Sequence, residues 1–153
     1  MYKKILYPTD FSETAELVIP HLEAFRELGG EEVVLLHVVE EKKKKSLLSM
    51  LLGFILKSKE ELEKDIENKL INEAKEKLDD IKSKLEELGY NVKGIIVVGS
   101  PHSKIVEIAE NEDVDIIIMG SHGETNLKEI LMGSVTEHVI KNTSKPVLII
   151  NRK

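Results

Sequence analysis

Val114–Val135, VDIIIMGSHGETNLKEILMGSV, is the stretch on which the reading of the whole chain turns. It opens with a short β-branched apolar run, Asp115 to Met119, of the kind that forms a strand buried on both faces. The run stops at Gly120. Gly123 follows, then nine residues, then Gly133 and Ser134, giving the spacing G-x-x-G-x9-G-[ST]. Ser134 stands three residues before Glu137, a capping-box signature that starts a helix at Ser134. A buried strand thus delivers the chain to an open edge, and glycines there let backbone approach a ligand closely. The new helix points its unpaired N–H groups and the positive end of its dipole into the same space. Taken singly, each glycine reads as an ordinary turn residue. Taken with the strand before and the helix after, they point to a phosphate chain, with no catalytic residue identified.

Working outward, the same alternation recurs along the chain. Lys3 to Tyr7 is a strand, stopped by Pro8, which has no N–H for a ladder. Ser12 caps a helix over 13–28, with Ala15, Leu17, Val18, Leu22, Phe25 and Leu28 near helical period, ended by Gly29 and Gly30. Val33 to Val39 is the second strand. Residues 40–57 read as an irregular insertion, a lysine run followed by SLLSMLLGFILK. Ser58 and Glu61 form a capping box opening a long helix to Leu88, ended by Gly89. Val92 to Val98 is a strand interrupted by Gly94. Ser100 and Pro101 open a helix to about Asn111, with proline at its first position. Asn126 to Leu131 reads as a short helical turn, Ser134 to about Lys141 as the last helix, and Pro146 to Ile150 as the last strand. Strands that are continuous apolar runs, alternating with helices, predict a doubly wound α/β parallel sheet.

Composition bounds the function. A chain of 153 residues, 41% hydrophobic and 33% charged, is read as one domain over 1–153 with a core of its own. A net charge of −6 argues against a nucleic-acid surface. There is no cysteine, which removes disulfides and thiolate metal sites. No signal peptide and no apolar run of membrane-spanning length is visible, so a cytoplasmic location is the expectation. Histidines stand at 21, 37, 102, 122 and 138, and none shows the spacing of paired metal ligands. His37, within a strand, reads as a core histidine with its hydrogen bonds met. His122, between the glycines, reads as a solvated loop residue, and so does Lys128. Neither G-x-x-x-x-G-K-[ST], nor a glycine-rich turn after strand one, nor G-x-S-x-G occurs.

The chain resembles the universal stress protein family, in its ATP-binding branch. The resemblance rests on the glycine spacing, on YKKILYPTDFS at 2–12, on DVDIIIM at 113–119, on KPVLII at 145–150, and on LLSMLLGFIL in the insertion, and it covers nearly the whole chain. It implies a Rossmann-like sheet ordered 3-2-1-4-5, with the order reversing between strands one and four, where ligands bind beyond the strands' carboxyl ends. It implies ATP as ligand, carrying a divalent cation, Mg or Mn, on its phosphates, with no metal site of the protein's own. The positions matching the family's nucleotide contacts are Pro8, Thr9, Asp10, Val38, Met119, Gly120, Gly123, Gly133, Ser134 and Val135. Asp10 would accept from ribose hydroxyls. On its residues alone it is equally a turn aspartate bonding its own backbone. Val38 would read adenine through its backbone. Phe11 stands where many relatives have glycine. Substituting valine at Gly120 or Gly133 is expected to fill phosphate space while sparing the fold.

The implied function is an ATP-dependent regulatory switch with at most slow or partner-dependent hydrolysis, since no general base or arginine finger is evident. An adenine-nucleotide hydrolase, or a nucleotide-independent interaction module acting through 46–56, are the alternatives. An unknown protein partner is compatible with either. The apolar run 146–150 would lie at a sheet edge, so a homodimer formed by antiparallel pairing of that strand is expected.

Overall fold

The computed structural model describes residues 1–54, 58–122 and 132–151. Five parallel strands form one sheet in the order β3-β2-β1-β4-β5, the expected topology. The strands are β1 (Lys4–Pro8), β2 (Glu32–Glu40), β3 (Asn91–Gly99), β4 (Ile116–Gly120) and β5 (Val147–Ile150). Their apolar runs alternate between two cores. Ile5, Tyr7, Val33, Leu35, Ile116 and Ile118 face α2 (Val18–Glu27) and α4 (Lys59–Glu87), meeting Leu22, Leu78, Ile81 and Leu85. Leu6, Val34, Leu36, Val38, Ile117 and Met119 face α5 (Pro101–Asn111) and α6 (Ser134–Asn142), meeting Ile105, Ala109 and Val139. A strand covered on both sides has no polar face to show, which is why the sequence pattern is continuous rather than alternating.

Several local expectations change. Pro8 is the last residue of β1, in register with Leu36, and the ladder passes to Thr9, whose N–H donates to the Leu36 carbonyl at 2.8 Å. The helix expected over 13–28 is two helices, α1 (Glu13–Glu16) and α2, joined at Leu17. The cause is Pro20, which lacks the N–H that would reach the Glu16 carbonyl and crowds it with its ring. Leu28, expected inward, is 79% exposed. Strand β3 runs through Gly94 without interruption, with Gly94 in register with Leu35.

Much of the insertion is regular: Glu41–Leu51 form helix α3, while 55–57 lie outside the described residues. Its Leu48 packs with Leu62 and Ile66 of α4, flanked by Leu47, Leu51 and Leu70. Lys44, 6% exposed, sits among Glu41, Glu63 and Glu67 at 3.9, 3.4 and 3.0 Å. Lys44, Leu47, Leu48 and Leu51 share one helical face. The lysine run hides this period, because one of its members turns inward to Glu63 and Glu67 of α4. Among the described residues no helix is long and apolar enough to cross a membrane.

Candidate functional site

The strand order reverses between β1 and β4, and there the chain leaves the sheet on both sides. A cavity of about 650 Å³ opens at that point, beyond the strands' carboxyl ends. It is bordered by Pro8, Thr9, Asp10, Val38, Met119, Gly120, Gly133, Ser134 and Val135. Those are all but one of the positions singled out from the sequence. Gly123 lies outside the described residues, as do Lys128 and the expected helical turn over 126–131.

The turn after β1 is held by its own side chains. Thr9 Oγ1 accepts from the Phe11 N–H at 3.0 Å, Asp10 Oδ1 from the Ser12 N–H at 3.0 Å, and Ser12 Oγ from the Ala15 N–H at 3.2 Å. Asp10 is therefore a turn aspartate, and its second oxygen has no hydrogen-bond partner among the described residues, so an acceptor remains at the cavity wall. Phe11 adopts a φ of 66°, a left-handed conformation that costs a non-glycine residue about 1–2 kcal/mol. Its ring stacks on His37 at 4.3 Å between centroids, and Lys77 Nζ lies 5.5 Å from the same ring. His37 Nδ1 is 2.8 Å from the Thr9 carbonyl oxygen. Burial holds the His37 pKa below the usual imidazole value, outweighing the Thr9 bond and the Asp10 charge that pull upward; Lys43 and Lys77 push it further down. The ring is thus neutral near pH 7, with Nδ1–H the donor to Thr9. His37 does have its hydrogen bond, as expected, but it forms part of the cavity wall rather than the core.

A backbone hydrogen bond joins the segment after β4 to the residue before α6. The Gly133 N–H donates to the Ser121 carbonyl at 2.7 Å, and Ser121 Oγ and His122 Nδ1 are 2.8 Å apart. His122 borders the cavity. Helix α6 begins at Ser134 as expected, but its cap is Gly133, in extended conformation, and Ser134 is the first helical residue. The first intrahelical bond runs from the Glu137 N–H to the Gly133 carbonyl at 3.0 Å. The N–H groups of Ser134, Val135 and Thr136 consequently have no partner within the helix. These three, all bordering the cavity, are the donors available at this end; the Gly133 N–H is already committed. The capping-box reading fails because the chain is extended at Gly133, one residue earlier than serine capping requires.

Gly120 has a different reason from the one expected. A Cβ built on it would stand 3.0 Å from the Thr14 carbonyl oxygen and 3.0 Å from Thr14 Cγ2. The glycine lets α1 pack against the end of β4. Thr136 Oγ1 donates to the Gly120 carbonyl at 3.0 Å, tying α6 to the same point.

The wall formed by Phe11, His37, Lys43, Leu70, Glu73, Ala74 and Lys77 was not legible as a site. Helical periodicity marks Leu70 and Ala74 as inward, but not that this turn of α4 overhangs the strand ends. The histidines gain a pairing that spacing hid: His102 of α5 and His138 of α6 lie with ring centroids 5.3 Å apart. Among the described residues no group of three metal-ligating side chains converges.

Comparison with known proteins agrees with this architecture. Universal stress protein MJ0577 of Methanocaldococcus jannaschii is 62% identical over all of this chain and 97% of its own length. The solved structure of MJ0577 superimposes with a TM-score of 0.88 at 59% identity, covering 100% of this chain and 98% of that one. The structure of a universal stress protein from Archaeoglobus fulgidus in complex with dAMP shares the fold, with a TM-score of 0.65 at 24% identity, covering 97% of this chain and 98% of that one. The Universal stress protein family profile matches residues 1–151, and the chain belongs to that family.

Proposed function

We propose that the protein binds ATP in the cavity between β1 and β4 and acts as a nucleotide-dependent regulatory switch. The observation that carries the reading is the start of α6. Three N–H groups without intrahelical partners, at Ser134, Val135 and Thr136, open onto a cavity of about 650 Å³, a size suited to a small-molecule ligand. The phosphate chain belongs at those donors, with the Ser134 hydroxyl, relieved of capping, beside them. The nucleoside belongs toward Pro8, Thr9, Asp10, Val38 and Met119, with Asp10 as acceptor for ribose hydroxyls. The A. fulgidus relative holds dAMP, so an adenine nucleotide fits this architecture in at least one member. A hard divalent cation travels on the phosphates, largely hydrated, since oxygen ligands suit it and no preformed cage occurs among the described residues.

We expect at most slow hydrolysis, since no arginine borders the cavity among the described residues. Arg26 donates to the carbonyls of Gly89 and Gly30, which precede β3 and β2 at the amino ends of the strands. It is therefore held at the far side of the sheet from the cavity and cannot act as an arginine finger in this chain. Nucleotide extracted from protein purified without added ligand, and identified by mass, tests the reading. We expect an adenine nucleotide. If none co-purifies and ATP–Mg at millimolar concentration produces no heat of binding, the reading is wrong.

A further inference from the structure

We propose that His102 and His138 form a binding site for a borderline divalent transition-metal ion of the zinc class. The two imidazoles come from different helices, 36 positions apart in sequence, and face each other across the α5–α6 contact. Their ring centroids are 5.3 Å apart and their planes 79° from parallel. That spacing can be compared with what a metal demands. A tetrahedral ion bonds each imidazole nitrogen at about 2.1 Å, and the ring centre lies about 1.1 Å further out, so two such rings stand about 5.2 Å apart. The two rings thus already stand at chelating distance, and rotation about their Cβ–Cγ bonds would aim one nitrogen of each at a shared point.

Neither ring has a hydrogen-bond partner among the described residues, so both keep a nitrogen for a ligand. Both side chains are partly exposed, which gives an ion a route in. Imidazole pairs favour zinc, nickel and copper over magnesium or calcium, which prefer oxygen. Among the described residues only these two ligands converge, so water fills the positions that they leave open. His102 borders both the main cavity and a second groove lined by Lys42, Lys45 and Ser100, so an ion held here would sit on the rim of the main cavity. The competing explanation is an edge-to-face stack of two rings with no ligand.

The test is calorimetric titration of the chelator-treated full chain with zinc chloride, without nucleotide, so that its outcome is independent of the nucleotide reading. We expect one zinc per chain in the wild type. His102→Gln and His138→Asn should each weaken zinc binding by about tenfold or more with an unchanged circular dichroism spectrum, because each removes one of two ligands. His21→Gln, on α2, should leave it unchanged. Absence of wild-type binding at millimolar zinc, or a loss of less than tenfold in either variant, overturns the proposal.

Discussion

Gly120 at the end of β4 lies against the backbone of Thr14 in α1, so close that a Cβ on the glycine would stand 3.0 Å from the Thr14 carbonyl oxygen. The contact joins the two strands that flank the cavity, because α1 follows β1 and Gly120 ends β4. Gly120→Ala should cost about 1–3 kcal/mol of stability, as overpacking against backbone does. Urea unfolding measures it. An alanine variant as stable as wild type would show that the contact relaxes freely.

How much of this was legible follows the same line. The apolar runs and their glycine and proline boundaries specified the sheet, because a strand buried on both faces leaves an unambiguous pattern. Asp10, Val38 and Ser134 were placed by resemblance and by the strand–loop–helix order, and all border the cavity. What failed were features that depend on distant partners. The lysine run looked irregular because the partners of Lys44, Glu63 and Glu67, stand on α4. Gly120 looked like phosphate space because nothing in the sequence says that Thr14 packs on it. His102 and His138 looked unrelated because helix-to-helix contacts have no fixed spacing.

Acid should weaken the fold through His37. Burial lowers its pKa in the native state, so as pH falls below about 6.5 the unfolded chain takes up a proton that the native ring resists. The stabilisation is complete above that value and declines as pH drops through it toward the lower native pKa. His37→Gln should flatten the dependence. Denaturant midpoints at pH 7.5 and 5.5 decide it; equal acid losses in wild type and variant would contradict the assignment.

Lys44 should control the docking of α3. Its ammonium is drawn upward in pKa first by the Glu67 hydrogen bond and also by Glu63, so the clasp is intact at neutral pH and is lost only as pH rises above the lysine range. Lys44→Glu places a fourth carboxylate among Glu41, Glu63 and Glu67. Amide exchange over Leu47–Leu51 should accelerate about tenfold or more while the β2 amides stay protected. Uniform protection in the variant would show that the leucine contacts alone hold the helix.

The edge strand β5 should mediate a homodimer, a proposal resting on its open backbone. Ile117 N–H donates to the Pro146 carbonyl and Ser121 N–H to that of Ile150, so the alternate residues Val147 and Ile149 turn their backbone groups outward. Ile149→Pro removes one outward donor without touching the β4 ladder and should shift the protein toward monomer in sedimentation. Wild-type protein that sediments as a monomer at micromolar concentration would end the proposal.

The most direct test of nucleotide binding at α6 is ATP–Mg calorimetry on wild type and Ser134→Pro. Gly133 is extended, with φ −71° and ψ 157°, as a residue before proline must be, and proline suits the first helical position. The substitution therefore keeps the helix while deleting the N–H and the hydroxyl of a residue that borders the cavity. We expect wild-type binding at one ATP per chain, and in the variant an affinity reduced about tenfold or more with an unchanged unfolding midpoint. Full affinity in Ser134→Pro would contradict phosphate binding at this helix.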